Sequence, residues 1–171
     1  MKTILFITGV SGAGKTTLGT AVKKMASGFS EAILIDGDIA RTLWPDLGLS
    51  QEDREKNVRR IANLAIILAQ QLENSLIIIS CIAPFEAHRK QIIEHLKKNS
   101  DKFFLIYIHA PLIERIIRDP KGLYDRAIRG EIEGLTGYDG IYDIPLAPDF
   151  SFNSSQQCPE EMAQEILEGI K

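Results

Sequence analysis

The chain has 171 residues, 44% of them hydrophobic, and a net charge of −3. That length suffices for one domain with a real core and is short for two. Basic and acidic residues are interspersed and the pI is near 5.7, which excludes a sequence-wide attraction to nucleic acid or an anionic membrane. Cys81 and Cys158 follow no metal or redox spacing, and no apolar run reaches the length of a membrane span. A reduced, cytoplasmic setting is therefore expected.

Short apolar, β-rich runs alternate with longer helical patterns, which predicts a parallel sheet covered by helices. The first strand is predicted over 3–8; it leads into a glycine-rich turn rather than a signal-peptide cleavage site. A helix over 15–27, a strand over 32–35 and a helix over 51–73 follow, the last begun by Ser50 with Asp53 in a capping arrangement. Next come a strand over 76–80, a helix over 85–98, a strand over 103–108 and a helix over 112–118. Between 119 and 148 the pattern dissolves into glycines, prolines and charges, as expected of a lid or binding loop. A strand over 150–153 and a helix over 159–170 close the chain, with Pro159, Glu160 and Glu161 suited to a first helical turn.

Gly9-Val10-Ser11-Gly12-Ala13-Gly14-Lys15-Thr16 fits the Walker A pattern directly after a strand and before a helix. Its glycines let backbone N–H groups turn inward around phosphate oxygens, and the following helix adds its positive end. Gly9, Ser11, Gly12, Ala13, Gly14 and Thr17 belong to this ATP-binding loop, with Ala13 and Thr17 as chemically silent neighbours. Lys15 is expected to reach the β- and γ-phosphates and Thr16 to ligand Mg²⁺. The fold class expected is α/β, a P-loop NTPase-type three-layer sandwich of one domain. Its central parallel sheet would have about five strands, with a mobile lid over 119–148. The loop alone does not separate kinase from GTPase or ATPase, but no Asn-Lys-x-Asp guanine-reading motif is present.

Asp36-Gly37-Asp38 ends the second predicted strand, at the sheet edge where α/β folds bind ligands. Two carboxylates there can serve the metal, Asp36 with Thr16, and the acceptor hydroxyl whose proton must be taken in phosphoryl transfer. Arg54 and Asn57 are three apart and share a helix face; with Arg41 they are read as anion-binding. Arg59 and Arg60 point elsewhere and are read as surface residues. His88, His95 and His109 lack partners at metal spacing, Cys81 reads as packing, and Trp44 and Phe85 as core or pocket wall.

In order and spacing, the Walker A loop, Asp36-Gly37-Asp38-Ile39-Ala40-Arg41, Asp46-Leu47-Gly48-Leu49-Ser50, the stretch from Glu52 to Arg60, Ile82-Ala83-Pro84, Lys121-Gly122-Leu123-Tyr124 and Leu135-Thr136-Gly137-Tyr138-Asp139 resemble the adenylylsulfate kinase family over nearly the whole chain. The resemblance implies ATP and Mg²⁺ on the P-loop and a second nucleotide facing it. Contacts to that acceptor would come from Asp38, Arg41, Arg54, Asn57, the backbone of Ile82 and Ala83, Lys121 and Thr136. Its 3′-hydroxyl would attack the γ-phosphate, with Lys15 and Lys121 neutralising charge and Asp36 or Asp38 orienting or deprotonating the hydroxyl. The resemblance also allows a homodimer. Another small P-loop kinase, or a nucleotide-dependent switch without turnover, would have no reason to keep all these segments together.

Three positions depart from the family pattern. Ala83 stands where some members carry a serine once considered a phospho-acceptor, so direct in-line transfer is the reading available. Leu49 and Leu135 stand where phenylalanines sandwich the acceptor's adenine. Stacking on a base is worth roughly 1–3 kcal/mol per face, so two lost faces weaken adenine binding by about two to four orders of magnitude unless compensated. Conserving the anion contacts while changing the base contacts suggests a similar 5′ mixed anhydride on a different base. Kinases resembling this family that phosphorylate cytidine 5′-diphosphoramidate in capsular phosphoramidate synthesis fit that description, with adenylyl sulfate as the alternative acceptor.

Overall fold

In the computed structural model, residues 1–48 and 50–171 are described; Leu49 lies outside them, so its predicted base contact has no structural counterpart here. The strands are β1 (Lys2–Thr8), β2 (Glu31–Asp36), β3 (Ser75–Ser80), β4 (Lys102–His109) and β5 (Phe150–Asn153). They pair in parallel, in the order β2-β3-β1-β4-β5. The helices are α1 (Lys15–Met25), α2 (Gly37–Thr42), α3 (Gln51–Gln71), α4 (Glu86–Lys98), α5 (Leu112–Arg118), α6 (Leu123–Ile128) and α7 (Pro159–Gly169).

Alternation along the central strands divides the core into two layers. Ile4 and Phe6 of β1 with Ile77 and Ile79 of β3 meet α3 and α4, through Val58, Ile61, Ala65 and Ile92. Leu5 and Ile7 with Leu76 and Ile78 meet α1 and α7, through Leu18, Val22, Met162 and Ile166. Strands covered on both faces need apolar residues at successive positions, which explains why β1 and β3 are continuous apolar runs. Each fully buried Leu or Ile contributes about 1.5–3 kcal/mol relative to exposure.

Strand and long-helix boundaries agree with the sequence pattern to within two residues. The Ser50 hydroxyl accepts from the Asp53 amide at 3.1 Å, capping α3 as expected. Two short helices were not expected. Helix α2 begins on glycine and lasts six residues, yet the Asp36 side chain caps it by accepting from the amides of Asp38 and Ile39. Helix α6 corrects the expectation of an irregular stretch over 119–148: Asp119 accepts from the amides of Tyr124 and Asp125, giving the lid segment a helical turn. Among the described residues, no helix is long and apolar enough to cross a membrane.

Candidate active site

The C-terminal ends of β1, β2 and β3 open onto a cleft of about 370 Å³ that gathers Lys15, Asp38, Arg41, Arg54, Asn57, Ile82, Ala83, Lys121, Leu135 and Thr136. These predicted residues come from positions spread over more than a hundred in sequence. Ligands in open α/β folds sit at such strand ends.

On the donor side, the P-loop wraps from β1 into α1. A Cβ on Gly9 would lie 2.1 Å from the Ile108 carbonyl oxygen, so only glycine lets the loop pass β4. Gly12 and Gly14 hold φ of 74° and 97°, the left-handed region that turns successive amides inward. Lys15 Nζ donates to the Val10 carbonyl at 2.9 Å. Desolvation lowers the Lys15 ammonium from its usual range to about 8, against the opposing pull of Asp38. Because phosphate binding requires the charged form, nucleotide affinity should fall as pH rises through about 8, approaching tenfold per pH unit above it. Calorimetric titration of ADP from pH 6.5 to 9.5 checks this, with Lys15→Met expected to flatten the profile; a parallel slope in that variant would reject the assignment. Stability runs the other way. The folded-state pKa lies below 10.5, so between about 8 and 10.5 the unfolded chain binds more protons and this group's contribution to stability rises with pH.

The two aspartates separate cleanly. Asp36 is buried, and both its oxygens are engaged: Oδ2 accepts from the Thr16 hydroxyl at 2.6 Å, and Oδ1 from the Asp38 and Ile39 amides. Asp38 is exposed in the cleft and pairs with Lys121, which reaches over from the turn before α6. Both side chains are more than a third exposed, so the pair contributes little stability and can open to other partners.

On the acceptor side, α3 presents Arg54 and Asn57 to the cleft as their spacing predicts. Arg54 Nη1 donates to the Thr136 hydroxyl at 3.4 Å, and Arg41 Nη1 to the Gly48 carbonyl at 2.5 Å. Burial, then repulsion from Arg41, lowers the Arg54 pKa from its usual range. Asn57 Nδ2 donates to the Gly37 carbonyl at 3.5 Å, while its Oδ1 is buried without a partner among the described residues. Arg60 instead forms a two-pronged surface pair with Asp46 at 2.8 and 2.9 Å, in line with its reading as a surface residue. Asp139 accepts from the amides of Gly134 and Leu135 at 2.8 and 2.7 Å, which fixes the turn that sets Leu135 and Thr136 against the cleft.

Tyr124, which the sequence places in the lid as a loop-ordering or nucleotide-contacting residue, is fully buried, its hydroxyl donating to the Ser11 carbonyl at 2.8 Å. Sequence reasoning missed several other residues that shape this site. Arg115 donates to the Tyr124 hydroxyl and the Gly137 carbonyl, both at 2.9 Å, tying lid root, P-loop and acceptor turn together. Ser80 ends β3 beside Asp36 in register, and its buried hydroxyl, at the cleft wall, has no partner among the described residues. Arg126 and Glu133 also line the cleft. Burial raises the Cys81 thiol to about 12, in keeping with packing rather than reactivity.

The family model described as adenylylsulphate kinase matches residues 1–153. A probable adenylyl-sulfate kinase of Pyrococcus abyssi is 43% identical over 169 residues, covering 98% of this chain and 94% of its own length. The adenylyl-sulfate kinase of Myxococcus xanthus is 37% identical over 169 residues, covering 98% and 90%. The structure of the Mycobacterium tuberculosis APS kinase CysC in complex with AMPPNP and APS matches with a TM-score of 0.88 at 34% identity, over 97% of this chain and 95% of that one.

Proposed function

The chain belongs to the adenylylsulphate kinase family and is thereby an ATP-dependent phosphotransferase; we propose that it phosphorylates the 3′-hydroxyl of a nucleotide bearing a 5′ mixed anhydride, with cytidine 5′-diphosphoramidate preferred over adenylyl sulfate. The observation that carries the choice of base is Leu135, an aliphatic side chain at the cleft wall where the family pattern places an aromatic ring. An aliphatic clamp suits a single pyrimidine ring, which offers less stacking area than adenine. Adenylyl sulfate is the second reading, favoured by the activity named for the relatives in Pyrococcus and Myxococcus.

Roles follow from the geometry. Arg41, Arg54 and Asn57 would hold the acceptor's anhydride, and Thr136 would orient it from the opposite wall. Asp38 would face the 3′-hydroxyl and take its proton, because its carboxylate is exposed to the cleft whereas both oxygens of Asp36 are occupied. Lys121 would exchange Asp38 for the transferring phosphoryl group, and Lys15 would neutralise its developing charge. The Thr16 hydroxyl and Asp36 carboxylate, 2.6 Å apart, suit Mg²⁺, which is commonly held by one or two carboxylates together with substrate phosphates. When bound, that ion supplies further charge neutralisation on the phosphates.

The test is ADP release with Mg²⁺-ATP, comparing kcat/KM for the two acceptors. The expected result is a preference of about a hundredfold for the cytidine compound, corresponding to about 2.7 kcal/mol of transition-state discrimination. The reverse preference would establish the adenylyl sulfate reading, and turnover with neither would reject both.

A further inference from the structure

We infer that Arg89 and Thr8, which line neither substrate site, are positioning residues: by direct hydrogen bonds to their carbonyls, and with Tyr142 between the two, they fix the backbone of Ile82 and Ala83 as the acceptor-side wall. The inference rests on the reading of that wall as part of the acceptor site. Arg89 lies in the first turn of α4 and is 0% exposed. Its Nη1 donates to the Ala83 carbonyl at 2.5 Å and its Nη2 to the Asp143 carbonyl at 2.6 Å. Nη2 also pairs with the Glu86 carboxylate, and the guanidinium stands 5.7 Å over the Tyr142 ring. Burying a guanidinium is costly, and an apolar side chain of similar volume often serves packing as well or better. Here the charge is spent on two carbonyls from two separate loops, and among the described residues Nε has no partner, so packing alone does not account for it.

Thr8 completes the device from the other side. Its hydroxyl donates to the Ile82 carbonyl and meets the Tyr142 hydroxyl at 3.1 Å. A threonine has one hydroxyl proton, so Tyr142 donates in that contact and the direction of the chain is fixed. Both carbonyls at the wall are thus drawn inward. Ala83 is held at φ 42°, a left-handed conformation that an alanine adopts only under constraint. In a trans peptide the C=O and the following N–H point in opposite directions. Drawing the Ile82 carbonyl to Thr8 therefore turns the Ala83 amide away from Thr8, the orientation needed to donate to an acceptor anion. Because Thr8 immediately precedes Gly9, the same hydroxyl ties the acceptor wall to the strand carrying the ATP loop. It thereby sets the separation of the two substrates, to which phosphoryl transfer is steeply sensitive.

The experiment measures both substrates' kinetic parameters and the crystal structure for Arg89→Lys, Thr8→Val and Thr8→Ser in the full chain. Arg89→Lys and Thr8→Val are expected to lower kcat/KM for the acceptor at least tenfold, with KM for ATP within twofold of wild type. Thr8→Ser, which keeps the donor, should recover most of that loss. A role confined to stability would lower Tm without splitting the two substrates. Should Arg89→Lys fold poorly, Thr8→Val decides, since valine matches threonine in shape and suits a buried strand. Acceptor parameters within twofold of wild type in Thr8→Val, or an equal loss for ATP, would overturn the inference. If the wild type phosphorylates neither acceptor, the proposed function fails and the structure alone decides. A rotated peptide between Ile82 and Ala83 in Thr8→Val would then uphold the positioning role, and an unmoved one would overturn it.

Discussion

Lys15→Ala is expected to lower kcat by about three orders of magnitude or more with every acceptor, while the protein stays folded. Catalysis in phosphoryl transfer is almost entirely positioning and charge stabilisation. A single cation aimed at the transferring group is worth about 10³–10⁵ where it has been isolated, and one oxyanion donor about 10²–10³. Lys15 is the P-loop's own cation, and the charge on it is already strained by burial, as its depressed pKa records. Among the described residues its hydrogen bond is to the Val10 carbonyl alone, so the fold loses little when it is removed. Tm should hold or rise, because a desolvated ammonium disappears with it. Measuring ADP release and thermal unfolding on one preparation separates the two effects. Wild-type-like turnover in the variant would dismantle the assigned chemistry, whereas lost turnover with a collapsed Tm would point to misfolding.

Much of this arrangement is legible before any coordinates, for reasons that differ by element. Strands β1 and β3 announce themselves because both faces are buried, and α3 because Val58, Ile61, Ala62, Ala65 and Ile66 repeat at helical spacing behind a serine cap. The P-loop and the pairing of Arg54 with Asn57 are local patterns whose chemistry is set by neighbours in sequence. Helices α2 and α6 escape because each has six residues, too few for periodicity; α2 is capped by the Asp36 side chain, and the first-turn amides of α6 are held by Asp119 from upstream of a glycine cap. The residues that assemble the site across long separations escape altogether. Tyr124 meets Ser11, Arg115 meets Gly137, and Arg89 joins Ala83 to Asp143; no local sequence pattern names these distant partners. The division of labour between Asp36 and Asp38 is also structural information. Two residues apart in sequence, they differ in exposure because Asp36 caps α2 while Asp38 sits in its first turn.

Placing phenylalanine at both Leu49 and Leu135 should move the preference toward adenylyl sulfate by about ten- to a hundredfold in the ratio of kcat/KM values. A stacked aromatic is worth roughly 1–3 kcal/mol per base face, but leucine already supplies dispersion contacts, so the net gain per face falls toward the lower end. Two faces at about 1 kcal/mol each give a factor near thirty. At position 135 the exchange is well supported. The Asp139 carboxylate grips the amides on either side of the turn's entry, so the backbone that aims the side chain does not depend on what the side chain is. The anion contacts proposed for Arg41, Arg54 and Asn57 would be untouched, and kcat for the cytidine compound should change less than its KM, because the base of the proposed acceptor would lie away from the reacting oxygen. Leu135→Phe alone should give part of the shift. A ratio that moves less than threefold in the double variant would mean that the leucines do not set the base. Discrimination would then have to be sought in other side chains that line the cleft, Arg126 and Glu133 among them.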